Sequence, residues 1–230
     1  PRGSGKTAVL SEVARRLGGA RPAPFPWGRC GGVIAASGVV LMDEPKRRCG
    51  IDSVYWLAES AAERGIRYVI TTSDPRVAGL VGYWERLPMS THVGMWNMAR
   101  GEFEELYYAA RAQYPGAPPF EDVWATAGGN PKLLFAWAKR GWSLTRLTLR
   151  LTSMFGPTIR RLVQKGFERD LENAVEDPDE CGNICDVLWL AGLMSRVYLV
   201  HVAPDRGLGI GRYYGWTTPL FRDVVRRLIG

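Results

Sequence analysis

The stretch PRGSGKTAVL at the start of the chain constrains the fold more than any other feature. A phosphate-binding loop reads G-x-x-x-x-G-K-S/T between a buried strand and a helix. Gly5, Lys6 and Thr7 supply its last three positions, and Pro1 to Ser4 fill the variable ones. Val9, Leu10, Val13 and Leu17 then recur at helical spacing until Gly18-Gly19 stops the run, as the helix opened by such a loop requires. The first glycine and its strand would precede Pro1, so the expectation is a piece of a longer protein or a shortened divergent copy.

Phosphate binding needs inward-facing backbone N–H groups and the positive end of a helix. Gly3, Ser4 and Gly5, with the amides of Lys6, Thr7 and Ala8, are the candidates. Lys6 would reach the β- and γ-phosphates of ATP, and the Thr7 hydroxyl would ligate Mg²⁺. A Gly/Ser-rich turn before a helix is the plain alternative.

Downstream, VIAASGVVLMDEP is a near-continuous apolar run, the pattern of a strand buried on both faces of a parallel sheet. It places Asp43 and Glu44 at a strand's C-terminal end, where open α/β sheets gather ligand groups. Asp43 would help to hold the metal, and Glu44 would polarise an attacking water. A solvated turn is the competing explanation. Residues 53–64 pattern as a helix stopped by Gly65, and IRYVITTSD is a second buried strand, which together argue a βαβ crossover. Strand alternation puts Thr71 and Ser73 on one face and Thr72 on the other. Thr72 and Ser73 are the candidates for sensing the γ-phosphate, against ordinary strand-end capping. ARPAPFPWGRCGG, between the first helix and the acidic motif, reads as a loop.

Beyond Arg100 the texture is helical. Phe103, Leu106, Tyr107 and Ala110 form one stripe, and PPFEDVWATAGGNPKLLFAWAKRGW gives two helices broken at Gly128-Gly129, with Pro131 in the first turn of the second. Further helices follow Met154. SRVYLVHVAPDRGLGIGRYYGW suggests two strands around a glycine-rich hairpin, then a helix with Thr218 as N-cap, Pro219 at N1 and an apolar stripe of Leu220, Val224 and Leu228. That order suggests a winged helix.

Composition adds bounds. The longest uncharged apolar run, residues 31–42, is too short to span a bilayer. No signal peptide is visible, and a cytoplasmic protein is expected. The 230 residues carry a net charge of +7, with 25 Arg against 5 Lys, which permits contact with nucleic acid. Residues 139–167 hold seven basic side chains and no acidic one, either a solvated face or a surface for DNA or an acidic partner. Only six Asn and Gln occur, which fits a thermophile. Cys30 and Cys49 are far apart, and Cys181 and Cys185 form C-x-x-x-C rather than a C-x-x-C zinc knuckle, so buried or incidental thiols are expected. Trp56, Tyr107 and Trp137 fall on apolar stripes and are expected in the core.

RGSGKT, VVLMDEP, MWNMARGEFEELYY, PPFEDVWATAGGNPKLL and LGIGRYYGWTTPLFRDVVRRL, in this order, resemble the AAA-type, STAND-like P-loop ATPases of archaea, particularly crenarchaeal members. The resemblance implies an α/β fold: an N-terminally truncated P-loop NTPase parallel sheet core over 1–100, a helical lid over 101–153 and a winged-helix-like domain over 154–230. It implies ATP and Mg²⁺ as cofactors, the P-loop roles for Lys6 and Thr7, and the acidic-motif roles for Asp43 and Glu44. Asn130, Pro131 and Lys132 would form a lid turn near the nucleotide, and DNA or a protein would bind through the winged helix. An ATP-hydrolysing switch follows. A catalytically defective scaffold or DNA-binding module is the alternative. An ABC-type ATPase is disfavoured because no LSGGQ-like signature lies between the loop and the acidic motif.

Overall fold

The computed structural model describes residues 5–22, 32–35, 38–43, 56, 59–61, 63–71, 95–197 and 202–230. These fall into two compact units, Gly5–Val93 and Gly94–Gly230.

In the first unit, helix α1 (Lys6–Arg16) packs on a sheet ordered β1 (Ala20–Pro22), β2 (Val33–Ala35), β3 (Val40–Asp43) and β4 (Tyr68–Thr71). The contact is apolar: Leu10, Val39 and Leu41 are buried together, with Val13, Ala14, Leu17 and Val33 against them. Val40, Leu41 and Met42 are at most 1% exposed, so β3 is buried on both faces as its sequence demands. It pairs parallel with β4, Asp43 standing opposite Thr71. Residues 59–61 and 63 between them are helical, and Gly65 (φ +63°) ends the turn.

The sheet is not uniformly parallel. Among the described strands, β1–β2 and β2–β3 are antiparallel. The run expected as one strand is two, β2 and β3, with Gly38 at φ +79° between them. Ala20–Pro22, expected in a loop, pairs as β1. In both places a strand partner supplied by the fold outweighs the local reading, because an apolar run does not say where the chain reverses.

The second unit holds helices α2 (Arg100–Gln113), α3 (Phe120–Ala127), α4 (Pro131–Ala138), α5 (Leu144–Gln164), α6 (Glu168–Glu176) and α7 (Cys185–Leu190). A two-stranded antiparallel ribbon, β5 (Met194–Arg196) with β6 (Tyr214–Trp216), precedes α8 (Pro219–Ile229). The expected stripes are largely buried: Phe103, Tyr107 and Ala110 on α2 and Leu220 and Val224 on α8 are buried, while Leu106 and Leu228 are half-buried against the same core. Thr218 caps α8 by accepting from the Phe221 amide, and Pro219 sits in its first turn. The boundary expected between 153 and 154 falls inside α5. Asp179 pins the hairpin by accepting from the amides of Arg212, Tyr213 and Tyr214 at 2.6–2.9 Å.

Two expectations about side chains need correction. Trp56 is 51% exposed rather than in the core, whereas Tyr107 and Trp137 are buried as expected. Cys181 and Cys185 are joined as a disulfide rather than left as thiols, the two Cα atoms being 5.0 Å apart across the short turns that precede α7. Cys30 and Cys49 lie outside the described residues.

Candidate functional site

The site is built where α1 begins. Gly5 is its N-cap residue at φ +87°, a left-handed conformation that costs a side-chain-bearing residue dearly. A Cβ there would meet nothing within 4 Å, so conformation and not space selects glycine. The first main-chain bond of the helix runs from the Val9 amide to the Gly5 carbonyl. Among the described residues no side chain caps this N-terminus, and no acidic residue occupies the first turn. The amides of Lys6, Thr7 and Ala8 therefore sit at a helix end whose dipole favours an anion. Glu12 is the one acid of α1; Arg15 and then Arg16 bond it and hold its carboxyl below the usual range.

The packing of α1 on β3 also aims Thr7. Leu10 follows Thr7 by three residues and shares its helix face, while Leu41 precedes Asp43 by two and shares its strand face. Seating Leu10 beside Leu41 thus carries Thr7 toward Asp43. The Thr7 hydroxyl donates to Asp43 Oδ2 at 2.7 Å across 36 residues of sequence. The Thr71 hydroxyl donates to the other oxygen, Oδ1, from the adjacent strand. One carboxylate thereby joins the helix start to the ends of both parallel strands.

The donor set is chemically suited to Mg²⁺. A hydroxyl and a carboxylate are hard oxygen ligands, and donation of its proton leaves the Thr7 oxygen its lone pairs for a cation. Among the described residues no group of three His, Cys, Asp or Glu could hold a metal unaided. Mg²⁺ asks for less, since it binds through one or two carboxylates with water and substrate phosphates.

Thr71 is a residue that the sequence reading passed over in favour of Thr72 and Ser73. Strand register could have found it, because a parallel partner of Asp43 must present its side chain on the same face. Gly3, Ser4, Glu44, Thr72 and Ser73 lie outside the described residues.

Asn130, Pro131 and Lys132 belong to the second unit. There Asn130 is 3% exposed and caps α4, its Oδ1 accepting from the Leu133 amide at 3.1 Å. Its side-chain nitrogen donates to Asn97 Oδ1 at 3.1 Å, and Asn97 donates to the Thr217 carbonyl at 2.8 Å. Gly129 accepts from the Met98 amide at 2.9 Å. Three segments distant in sequence, around Asn97, Asn130 and Thr217, therefore meet in one polar junction. Pro131 opens α4, and Lys132 is exposed.

No family model matches the chain, and no curated protein or solved structure matches it. No helix among the described residues is long and apolar enough to cross a membrane.

Proposed function

We propose that the chain is an ATP-binding, Mg²⁺-dependent ATP-hydrolysing switch of the AAA/STAND-like P-loop class, with an α/β nucleotide core, a helical lid and a C-terminal winged helix. The observation that carries this reading is the Thr7–Asp43 hydrogen bond at the start of α1. It joins the last residue of GSGKT to the first acid of VVLMDEP, two motifs singled out separately from the sequence.

In this reading Gly5 and the amides of Lys6, Thr7 and Ala8 cradle the phosphates, and Lys6 balances their charge. Thr7 and Asp43 hold Mg²⁺, which would supply positive charge beside the phosphate oxygens. Thr71 fixes the second oxygen of Asp43, so the carboxylate is oriented before any ligand arrives. Glu44 orients or deprotonates water. The junction around Asn130 gives the lid a rigid turn, and a partner, DNA or protein, engages the C-terminal domain. A disulfide is compatible with a cytoplasmic home in a hyperthermophile, where intracellular bridges are common.

The test is a thermal shift. ATP at ~100 times its dissociation constant stabilises a fold by about 2.7 kcal/mol through mass action. Lys6→Ala should lose most of that shift, and an unchanged shift would remove the phosphate-binding assignment.

A further inference from the structure

Helix α5 divides its side chains sharply. Leu147, Leu151, Phe155, Ile159 and Leu162 are buried in the core of the second unit, and Phe155 packs edge-on against Phe221 of α8. Arg146, Arg150, Arg160 and Arg161 are all exposed. At 100° per residue they fall within an arc of roughly 100°, so they form one outward face. Leu149 and Met154, 65% and 55% exposed, lie at its margins.

No ion pair among the described residues involves any of the four. The charge is also segregated. Residues 139–165 carry seven basic side chains and no acid, whereas 94–138 and 166–230 together carry ten basic and fifteen acidic ones. A solvated helix face normally interleaves both signs; this one leaves its cations uncompensated while acids populate the rest of the unit.

We propose that the outer face of α5 binds the phosphate backbone of double-stranded DNA, independently of sequence and of whether the nucleotide site is competent. Arginine presents a planar fork matched to phosphate oxygens. The four arginines form two groups, Arg146 with Arg150 and Arg160 with Arg161. The near edges, Arg150 and Arg160, are separated by about 15 Å of helix axis. The uncharged side chains between them include Ser153 and Pro157. That spacing suits a helix laid across the DNA major groove, about 12 Å wide, with cations reaching the phosphates of both walls. The deep, narrow major groove of RNA does not admit a helix in this way.

The experiment is fluorescence anisotropy of a mixed-sequence duplex of about 30 base pairs with the full chain. Four phosphate contacts predict a loss of roughly 150-fold in affinity between about 50 and 200 mM salt. The combined variant R146Q/R150Q/R160Q/R161Q should bind at least tenfold more weakly at low salt, with a log–log salt slope shallower by about 3.6. R111Q/R169Q/R212Q/R227Q removes the same charge from other exposed positions of the unit and should keep the wild-type slope. A second readout needs no variant: bound duplex should protect the four α5 arginines from a dicarbonyl label and leave Arg111, Arg169, Arg212 and Arg227 reactive. No complex at low salt, equal losses in both variants, or uniform labelling would overturn the proposal. Tighter binding of poly-glutamate of equal charge would overturn it in favour of an acidic protein partner.

Discussion

Thr71 faces Asp43 as its register partner across the parallel β3–β4 pair and donates its hydroxyl to Oδ1 of that carboxylate. Asp43 is thus held from two sides, with Thr7 on Oδ2. Thr71→Val keeps the shape and removes the donor. It should cost about 1 kcal/mol of stability, lowering Tm by roughly 2–4 °C, and weaken Mg-ATP binding several-fold. Thr71→Ser should retain both properties. Paired thermal melts and calorimetric titrations check this; a Val variant that binds Mg-ATP as the native chain does would leave Thr71 a strand-end cap.

Glu44 follows directly on Asp43, and the two neighbouring carboxylates should divide the work. Glu44→Gln removes basicity and keeps volume. ATP should bind normally while turnover falls by about 10²–10⁴-fold, roughly 3–5 kcal/mol of barrier. Steady-state phosphate release measured beside ATP affinity separates the two effects. Intact turnover would assign the base to another residue.

Gly129 supports the polar junction rather than the chemistry. A Cβ on it would lie 2.2 Å from the Met98 carbonyl oxygen, a backbone atom, in a residue already at φ +77°. Gly129→Ala should therefore destabilise the second unit by about 3 kcal/mol or more, or roughly 6–12 °C in Tm. Gly116 has the same sign of φ, +85°, but open space around its Cβ position. Gly116→Ala should cost only about 1 kcal/mol, the conformational part alone. Denaturant melts of the two variants separate strain from collision, and equal losses would mean that the Gly129–Met98 contact relaxes freely.

What was legible in the sequence was local. The α3–α4 break at Gly128-Gly129, Pro131 in the first turn of α4, the Thr218 cap and the stripes of α2 and α8 depend on residues within a turn or two of one another. Thr7 and Asp43 were each legible as a Mg²⁺ ligand from its own motif, but their hydrogen bond was not, since β3 is buried on both faces and its pattern does not say which one meets α1. The reversal between β2 and β3 was hidden, since an apolar run looks alike whether it continues or folds back on itself. The Asn97–Asn130–Thr217 junction was hidden for another reason: its partners are up to 120 residues apart, and no periodicity links them. Thr71 was missed because alternation sorts a strand into two faces without saying which one meets the helix.

Thr7 and Asp43 acting together on Mg²⁺ is the centre of the proposed function, and calorimetric titration of ATP with and without that ion tests it most directly. In the native chain Mg²⁺ should tighten ATP binding. Asp43→Asn, which keeps the size of the side chain but gives up its charge, should bind free ATP about as well and lose most of the Mg²⁺-dependent gain. The same gain in both proteins would contradict the account.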